Sequence, residues 1–593
     1  FKLYFNPYIE IKPFKGFSVL SRLQANLTYT RNNYFQGMGS YQYYNANGAD
    51  AVGTNSDVYA SITEDRQCNY TWENVLTYHF QVASVHDFTL TAVTSWTHDR
   101  SDETYQKESN ITDNAYLWHN MGKTGDANST VSSLYQMSKT MGYVGRIAYS
   151  YQGKYLASAS VRRDGSSVLA NGNKWDTFPA FSLGWRISDE KFMASTHNWL
   201  DNLKIRFGYG VTGTASLAPY STISSLELST MQFSDLSTPT QIYRFTQEYA
   251  NKSLGWEKSY NTNIGLDATF LNGRINLTAD LYRTITKGVI WSRQLPVTNG
   301  GYTSDNQFYT MNQNLCRTKN NGIELALNTN NIDTHNFKWI SDVTFTANKE
   351  KITSLMDGVS NNITNGDYSL SIGYPVNSYY HYKLDGIWQK GEEADAAVFG
   401  CKPGDIKIDV PGMKKESDGK FYKLDSKGNK VYYTADNKYA YSGNDYQVLG
   451  HNSPDWTMGF QNSFKYKNFD LTIFMYWRWG QMIKYDMMTS YDPTGVNNFP
   501  SNFKYWTEDN PSNVFPAINA GRSLTQYTGY AALAYQDASY FKVKNITLGY
   551  NFKKNVLNAL GMTRLRIYAT ITNPIIYTKN SLLKDYDPEM NGS

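Results

Sequence analysis

Met121-Gly122-Lys123-Thr124 ends like a phosphate loop, in which backbone N–H groups cradle phosphates and a lysine neutralises them. That motif also needs a glycine five positions before Gly122, where this chain has Leu117 in an Asn-rich stretch. Nucleotide binding is therefore not expected. The 8 histidines form no HExxH pair for a zinc hydrolase, and no GxSxG elbow presents a nucleophilic serine. Asp267 and Asp280 fall on one face of neighbouring runs and are of the type that serves a glycosidase as acid and base. Similar polar residues recur along most such runs, however, which is how a water-lined wall reads. The run 425–429 lacks the downstream Glu of a calcium loop and reads as a hairpin tip. Cys68, Cys316 and Cys401 lie too far apart for a zinc spacing or a disulfide framework, and one at least must be unpaired within the chain. No catalytic residue, metal site or cofactor is expected, and the chain does not read as an enzyme.

The elements that carry these residues are strands. In 263–286, NIGLDATFLNGRINLTADLYRTIT, the residues Ile264, Leu266, Ala268 and Phe270 share one face and Asn263, Gly265, Asp267 and Thr269 the other. The chain reverses at Asn272-Gly273 and alternates again, a strand period on both sides of a strong hairpin signal. Comparable pairs recur at 3–13 with 17–34, 75–84 with 87–98, 142–151 with 154–163, and 178–187 with 203–213. They continue at 321–329 with 339–348, 456–466 with 469–477, and 541–552 with 565–572. The pattern predicts about sixteen strands in eight hairpins, with short turns on one side and seven longer connections on the other. Sorted loops of this kind mark a transmembrane barrel, with periplasmic turns and extracellular loops. One short connection, 188–202, carries Phe192, Met193, Trp199 and Leu200 behind acidic residues and predicts a short amphipathic helix or turn. The longest insertion, 354–453, is expected to be an extracellular excursion with its own β structure.

Composition narrows the choice. The chain has 593 residues and a net charge of only +4, which gives a nucleic-acid partner no support. Mean hydropathy is −0.55 and no apolar run approaches the roughly 18–20 residues a membrane helix needs. Half-apolar barrel strands escape that test. Aromatic residues make up 15% of the chain, including 49 Tyr, and tyrosine suits an oil–water boundary or a sugar- or peptide-contacting loop. The expected class is all-β: a transmembrane antiparallel barrel with long extracellular loops. A large soluble β-protein is the competing reading, and it would have no reason to sort its loops.

Specific phrases then accumulate. GKYLASASVRRDGSSVLANGNKWDTFPAFSLGWRISDEKFM from Gly153, LKIRFGYGVTG from Leu203, and LGWEKSYNTNIGLDATFLNGRINLTADLY from Leu254 come in one order. NNGIELALNT, LDGIWQ, PGDIKIDV, VLGHNSPDWTMGFQNSFKYKNFDLTIFMYW, YWTEDNPSNVFP, ASYFKVKNITLGYNF and TNPIIYTKNSLLKDYDPEM follow. Together they resemble the SusC-like TonB-dependent transporters of Bacteroidetes outer membranes over nearly the whole chain. The resemblance implies a 22-stranded barrel around an N-terminal plug, of which 1–593 would hold about 16 strands, strands six to twenty-one, without the plug. It implies TonB-dependent import of oligosaccharides across the cell outer membrane, with no cofactor and no nucleic acid. The implied partners are a SusD-like surface lipoprotein acting as a lid, TonB–ExbB–ExbD acting through the N-terminal region, and a second transporter–lid unit in a dimer. An oligopeptide importer of the same family is the runner-up, followed by a siderophore or cobalamin receptor. A secreted glycan-binding adhesin is the alternative without transport. The substrate contacts expected near the mouth are Trp118, His119, Asn120 and Tyr302. Among motif residues, Arg163, Asp164 and Gly165 fit an ordered turn, Trp185 an interface belt beside Arg186, and Asn545 and Gly549 the wall. The chain departs from the family between Val410 and Asp445, where a long Lys- and Tyr-containing extension leaves no family-like metal loop to expect, and at Val168-Leu169, which replace an aromatic.

Overall fold

Period-two alternation lets each strand show one face to each of two environments, and the backbone follows it. The computed structural model describes residues 1–38, 40, 58–122, 129–231, 240–246, 248–296, 298, 309–355, 362–365, 368–495 and 503–590. Among them run the sixteen strands that carry the large antiparallel ladders, numbered here β1–β16. They are β1 Tyr8–Phe14, β2 Phe17–Gln36, β3 Tyr59–Val82, β4 His86–Ser109, β5 Ser129–Tyr151, β6 Tyr155–Ser166, β7 Trp175–Arg186 and β8 Leu200–Thr214. The rest are β9 Glu257–Phe270, β10 Ile275–Gln294, β11 Thr310–Asp333, β12 Phe337–Ser354, β13 Trp456–Tyr466, β14 Phe469–Trp479, β15 Tyr540–Asn551 and β16 Arg566–Thr578. A short strand, Lys2–Phe5, pairs with β2 as β1 does; Pro7, with no N–H to donate, lies between them. No helix among the described residues is long and apolar enough to cross a membrane.

The chain divides into two compact units. The first comprises Phe1–Arg186, Arg206–Thr262 and Ile285–Cys316. In it β1 to β7 form an antiparallel ladder in chain order, with one continuous row Leu23–Trp72–Trp96–Met141–Gly165–Trp175 across six strands. The turns are tight. Ala83 and Ser84 both hold positive φ (50° and 56°) in the three-residue loop between β3 and β4, and Gln152-Gly153 do so in the three-residue loop between β5 and β6, a backbone twist that matches that of the flanking strands.

The second unit comprises Ile187–Ile205, Asn263–Thr284 and Arg317–Ser593. Here β11 to β16 pair antiparallel in order. The β9–β10 hairpin turns through Leu271, Asn272 and Gly273, all at positive φ, and is tied across its tip by Thr269 Oγ1 donating to Asn276 Oδ1 at 3.0 Å. The segment expected as a short amphipathic helix or turn forms 3₁₀ turns, Ile187–Asp189 and Lys191–Thr196. A second relaxed connection went unread in the sequence: the α-helix Lys554–Ala559 lies between β15 and β16, and its 6 residues are too few to show a period. Between β12 and β13 the chain folds into short strands, including Ser378–Ile387, Phe421–Leu424 and Lys430–Tyr433, and a helix, Glu393–Val398. Asp425 Oδ1 accepts the N–H groups of Lys427 and Asn429 and so closes a hairpin tip where the sequence predicts one.

Candidate functional site

The wall itself is the first functional feature. On β7, Trp175 and Trp185 share a face ten residues apart; on β14, in the other unit, Phe469 and Trp479 do the same. Ten residues of strand tilted by about 45° climb about 24 Å, close to the ~25 Å apolar band of a membrane barrel. Rings line both levels. At the short-turn end Phe80 stacks on Phe88 (5.1 Å), Phe88 lies 4.8 Å from Tyr149, and Tyr155 stacks on Trp185 (6.5 Å). In the second unit Trp339 meets Phe464 at 5.7 Å and Phe469 meets Tyr550 at 4.8 Å. At the other level Trp72 lies 5.1 Å from Trp96, Tyr143 stacks on Trp175 (6.0 Å), and Trp456 stacks on Trp479 (6.0 Å). Between the levels the same face exposes Leu76, Leu90, Ile147, Val161 and Leu183. The opposite face is largely polar, with Arg22–Glu73 at 2.6 Å, Thr71–Thr97 at 3.0 Å, Ser158–Ser182 at 2.8 Å and Lys258–Asp176 at 2.6 Å.

The second feature belongs to the loop side of the second unit. Segments between β12 and β13 and between β14 and β15 share a core of Ile387, Ile406, Met488, Tyr491, Phe515 and Leu533. A neighbouring core gathers Trp388, Val398, Phe399 and Val410, against which Phe421 and Tyr433 of the Lys- and Tyr-rich extension pack. Beside them opens a cleft of about 650 Å³ lined by Tyr382, Asp385, Asn513, Tyr535, Gln536 and Asn580, among others. Its amides are held in place: Asn513 Oδ1 accepts the Ile387 N–H at 2.9 Å, and Asn580 Nδ2 donates to Gln536 Oε1 at 2.6 Å. The half-buried Tyr382 ring, flanked by oriented amides, suits apolar contact and hydrogen bonding to an oligomeric ligand. Nearby, burial pushes the Cys401 thiol up to about 11, and it stays protonated and inert at neutral pH. Among the described residues no three His, Cys, Asp or Glu side chains gather as a metal would require.

The residues singled out in the sequence take these places. Trp118 packs on the small loop core of Val58, Ala60 and Ile111, with the exposed His119 ring 5.3 Å away and Asn120 half-buried. Tyr302 lies outside the described residues. Asp164 pairs with Arg162 (2.6 Å) on the polar face, whereas Arg163 points to the apolar face and lies over the Trp175 ring at 5.9 Å. Gly165 is required by the same ring, since a Cβ there would come within 2.6 Å of it. Trp185 belongs to the short-turn belt, and Arg186 donates its backbone N–H to Lys154 O at 2.8 Å. Asn545 pairs with Phe474 and Thr572 beside a bulge, and Gly549 leaves room for the Arg566–Asp470 ion pair. Leu169, in place of an aromatic, is fully buried. The cleft residues escaped the sequence reading because they come from six separated segments and form no motif.

The β-barrel family described as TonB dependent receptor-like matches residues 8–573. This chain belongs to that family. TonB-dependent receptor SusC of Bacteroides thetaiotaomicron is 28% identical over 483 residues, 78% of this chain and 43% of that protein. TonB-dependent receptor P3 of Formosa agariphila is 27% identical over 534 residues, 88% of this chain and 48% of that protein. The chain thus spans about half the length of the curated relatives it matches. Among solved structures, that of the RagAB peptide transporter superposes with a TM-score of 0.79 at 21% identity, covering 99% of this chain and 59% of that one. The fold is therefore the outer-membrane antiparallel β-barrel of this family, its ring-bordered face toward hydrocarbon and its polar face toward the lumen.

Proposed function

We propose that this chain is the wall and extracellular mouth of an energised importer of oligosaccharides. The observation that carries the reading is the equal ten-residue spacing of belt aromatics on β7 in one unit and on β14 in the other, which sets two solvents on the two faces of each strand. A wall of this kind encloses water, so uptake of scarce nutrient needs a plug and work done on it. TonB–ExbB–ExbD, acting through an N-terminal plug, would supply that work, and a SusD-like lipoprotein would close over the loops, two such units forming a dimer. The likeness to SusC, a family member, supports the lidded arrangement. The half-buried Tyr382 supplies ring surface to a sugar above the buried Tyr535, and the fixed amides of Asn513, Gln536 and Asn580 supply hydrogen bonds.

Oligopeptide import is the second reading, favoured by the likeness to the RagAB peptide transporter. Cells carrying the full-length protein, given labelled oligosaccharides and labelled oligopeptides with and without a protonophore, separate the two. Protonophore-sensitive accumulation of oligosaccharide alone is expected. Accumulation of peptide alone selects the second reading, and uptake of neither, or uptake indifferent to the protonophore, overturns both.

A further inference from the structure

The lipid-facing side of the first unit carries its cations unequally. Beyond the loop-side belt, Arg31 and Arg66 both approach Glu64 (3.7 and 3.8 Å), and Arg100 is held by Asp102 at 2.7 Å. Each of these guanidinium groups has a carboxylate of its own or shares one. Arg163 and Lys139 sit on the same face, at and just above the belt, and neither has a carboxylate partner among the described residues; Asp164 and Asp176 point to the other face, with Arg162 and Lys258.

The setting of Arg163 is built rather than incidental. It pairs with Tyr143 on β5 and Thr177 on β7, and its guanidinium lies over the Trp175 indole at 5.9 Å. Trp175 is stacked on Tyr143 at 6.0 Å, and Gly165 leaves the room its ring occupies. One exposed ring, itself stacked on a second, thus lies against a guanidinium whose N–H groups are left for an outside acceptor. Lys139, on the same face of β5 and farther toward the loops, is anchored through its backbone to Ser167, its N–H donating to Oγ (2.8 Å) and its carbonyl accepting from the Ser167 N–H (2.9 Å). Trp175 stands at the loop-side limit of the apolar band, the depth of outer-leaflet head groups, where unneutralised cations meet anionic lipid.

We propose that Arg163, with Lys139 and the rings of Tyr143 and Trp175, binds the phosphate of an outer-leaflet lipid head group whose net charge is negative. Arg163 would hold two phosphate oxygens in its planar fork, Lys139 would add a second positive charge from above, and the rings would receive the first carbons of the acyl region. The occupant is a membrane lipid rather than a solute phosphate because the rings continue the hydrocarbon-facing surface without a break.

The test uses the full-length protein in detergent, offered phosphatidylglycerol or phosphatidylcholine, whose phosphate its own choline neutralises, with retained lipid counted by native mass spectrometry. Wild-type protein is expected to retain phosphatidylglycerol at least fivefold more than phosphatidylcholine. Arg163→Gln with Lys139→Gln should remove that preference at least fivefold, while Arg66→Gln, whose residue already shares Glu64, should leave it. Both substitutions are at exposed positions, and the comparison of two lipids on wild-type protein stands even if the double variant folds poorly. Equal retention of the two lipids by wild type, an unchanged preference in the folded double variant, or displacement of the lipid by millimolar inorganic phosphate would each overturn the proposal.

Discussion

A single amide shows how this wall tolerates polarity on its hydrocarbon face. Asn462 lies on the apolar face of β13 with 8% of its surface exposed, and its Oδ1 accepts from Trp339 Nε1 (2.9 Å) and Ser341 Oγ (2.8 Å). Asn331 Nδ2 in turn donates to Ser341 Oγ at 2.7 Å. In lipid no water can replace a lost acceptor, so Asn462→Ala, which takes the acceptor from an indole N–H and from the Ser341 hydroxyl proton, should cost about 2–4 kcal/mol. Denaturant unfolding of the protein refolded into vesicles measures it. Glu589 makes a pH-dependent contact. Burial pushes its carboxyl up, but hydrogen bonds from Lys544, Lys542 and Tyr540 outweigh this and hold it at about 2, below the ordinary 4.5. A lowered acid stabilises the folded state above its unfolded value and loses that contribution as pH falls from about 4.5 toward 2. The protection factors of the Glu589 and Met590 amides, exchange rates corrected for their intrinsic pH dependence, should fall as pH drops through that window and stay flat from pH 5 to 7. None of this was readable from the chain, because Asn462 and Ser341, or Glu589 and Lys544, are neighbours only once registers are set.

At the scale of the strand, alternation makes a sharp distinction between two positions of similar appearance. Ile147 sits on the lipid face of β5 midway between Tyr143 and Tyr151, and Ser158 on the lumen face of β6. Ile147→Lys should destabilise by about 2–4 kcal/mol, as a cation near the bilayer midplane does. Ser158→Lys should shift stability by less than about 1 kcal/mol, its ammonium standing in water. Parallel unfolding titrations of the two variants compare them directly, and equal costs would mean that the faces are not differently solvated. The sixteen strands were legible because period two needs only a dozen residues to declare itself, as in 263–286. The Lys554–Ala559 helix was not, and neither were the reaches of β3 and β4, each 24 residues long. Their far halves carry polar residues on both faces, so hydropathy gave no signal for them; register pairing extends them.

The whole molecule depends on loops that become a site only when assembled. Tyr382 and Tyr535 come from segments more than 150 residues apart in sequence yet border one cleft beside a shared core. If the cleft holds substrate, Tyr382→Ala combined with Asn580→Ala should lower uptake at limiting substrate about tenfold while leaving the unfolding midpoint within a few degrees. Transport assays at low and saturating substrate separate lost affinity from lost turnover. Unchanged uptake at limiting substrate would place recognition elsewhere on the loop side. Trp118, chosen from sequence for the same role, instead spends its ring on a loop core, which a lone tryptophan in a polar stretch cannot announce.

Sequence by itself determined the class of this protein: alternation, sorted loops and ordered family phrases require a strand wall between hydrocarbon and water, since local periodicity depends only on neighbours along the chain. Tertiary structure decided which residues meet. It turned Arg163 away from Asp164 and onto Trp175, knotted Asn462 to Trp339, and drew Asn513 and Asn580 to one cleft. Those outcomes follow from strand register and loop packing, which join residues tens to hundreds of positions apart and leave no periodic trace in the chain.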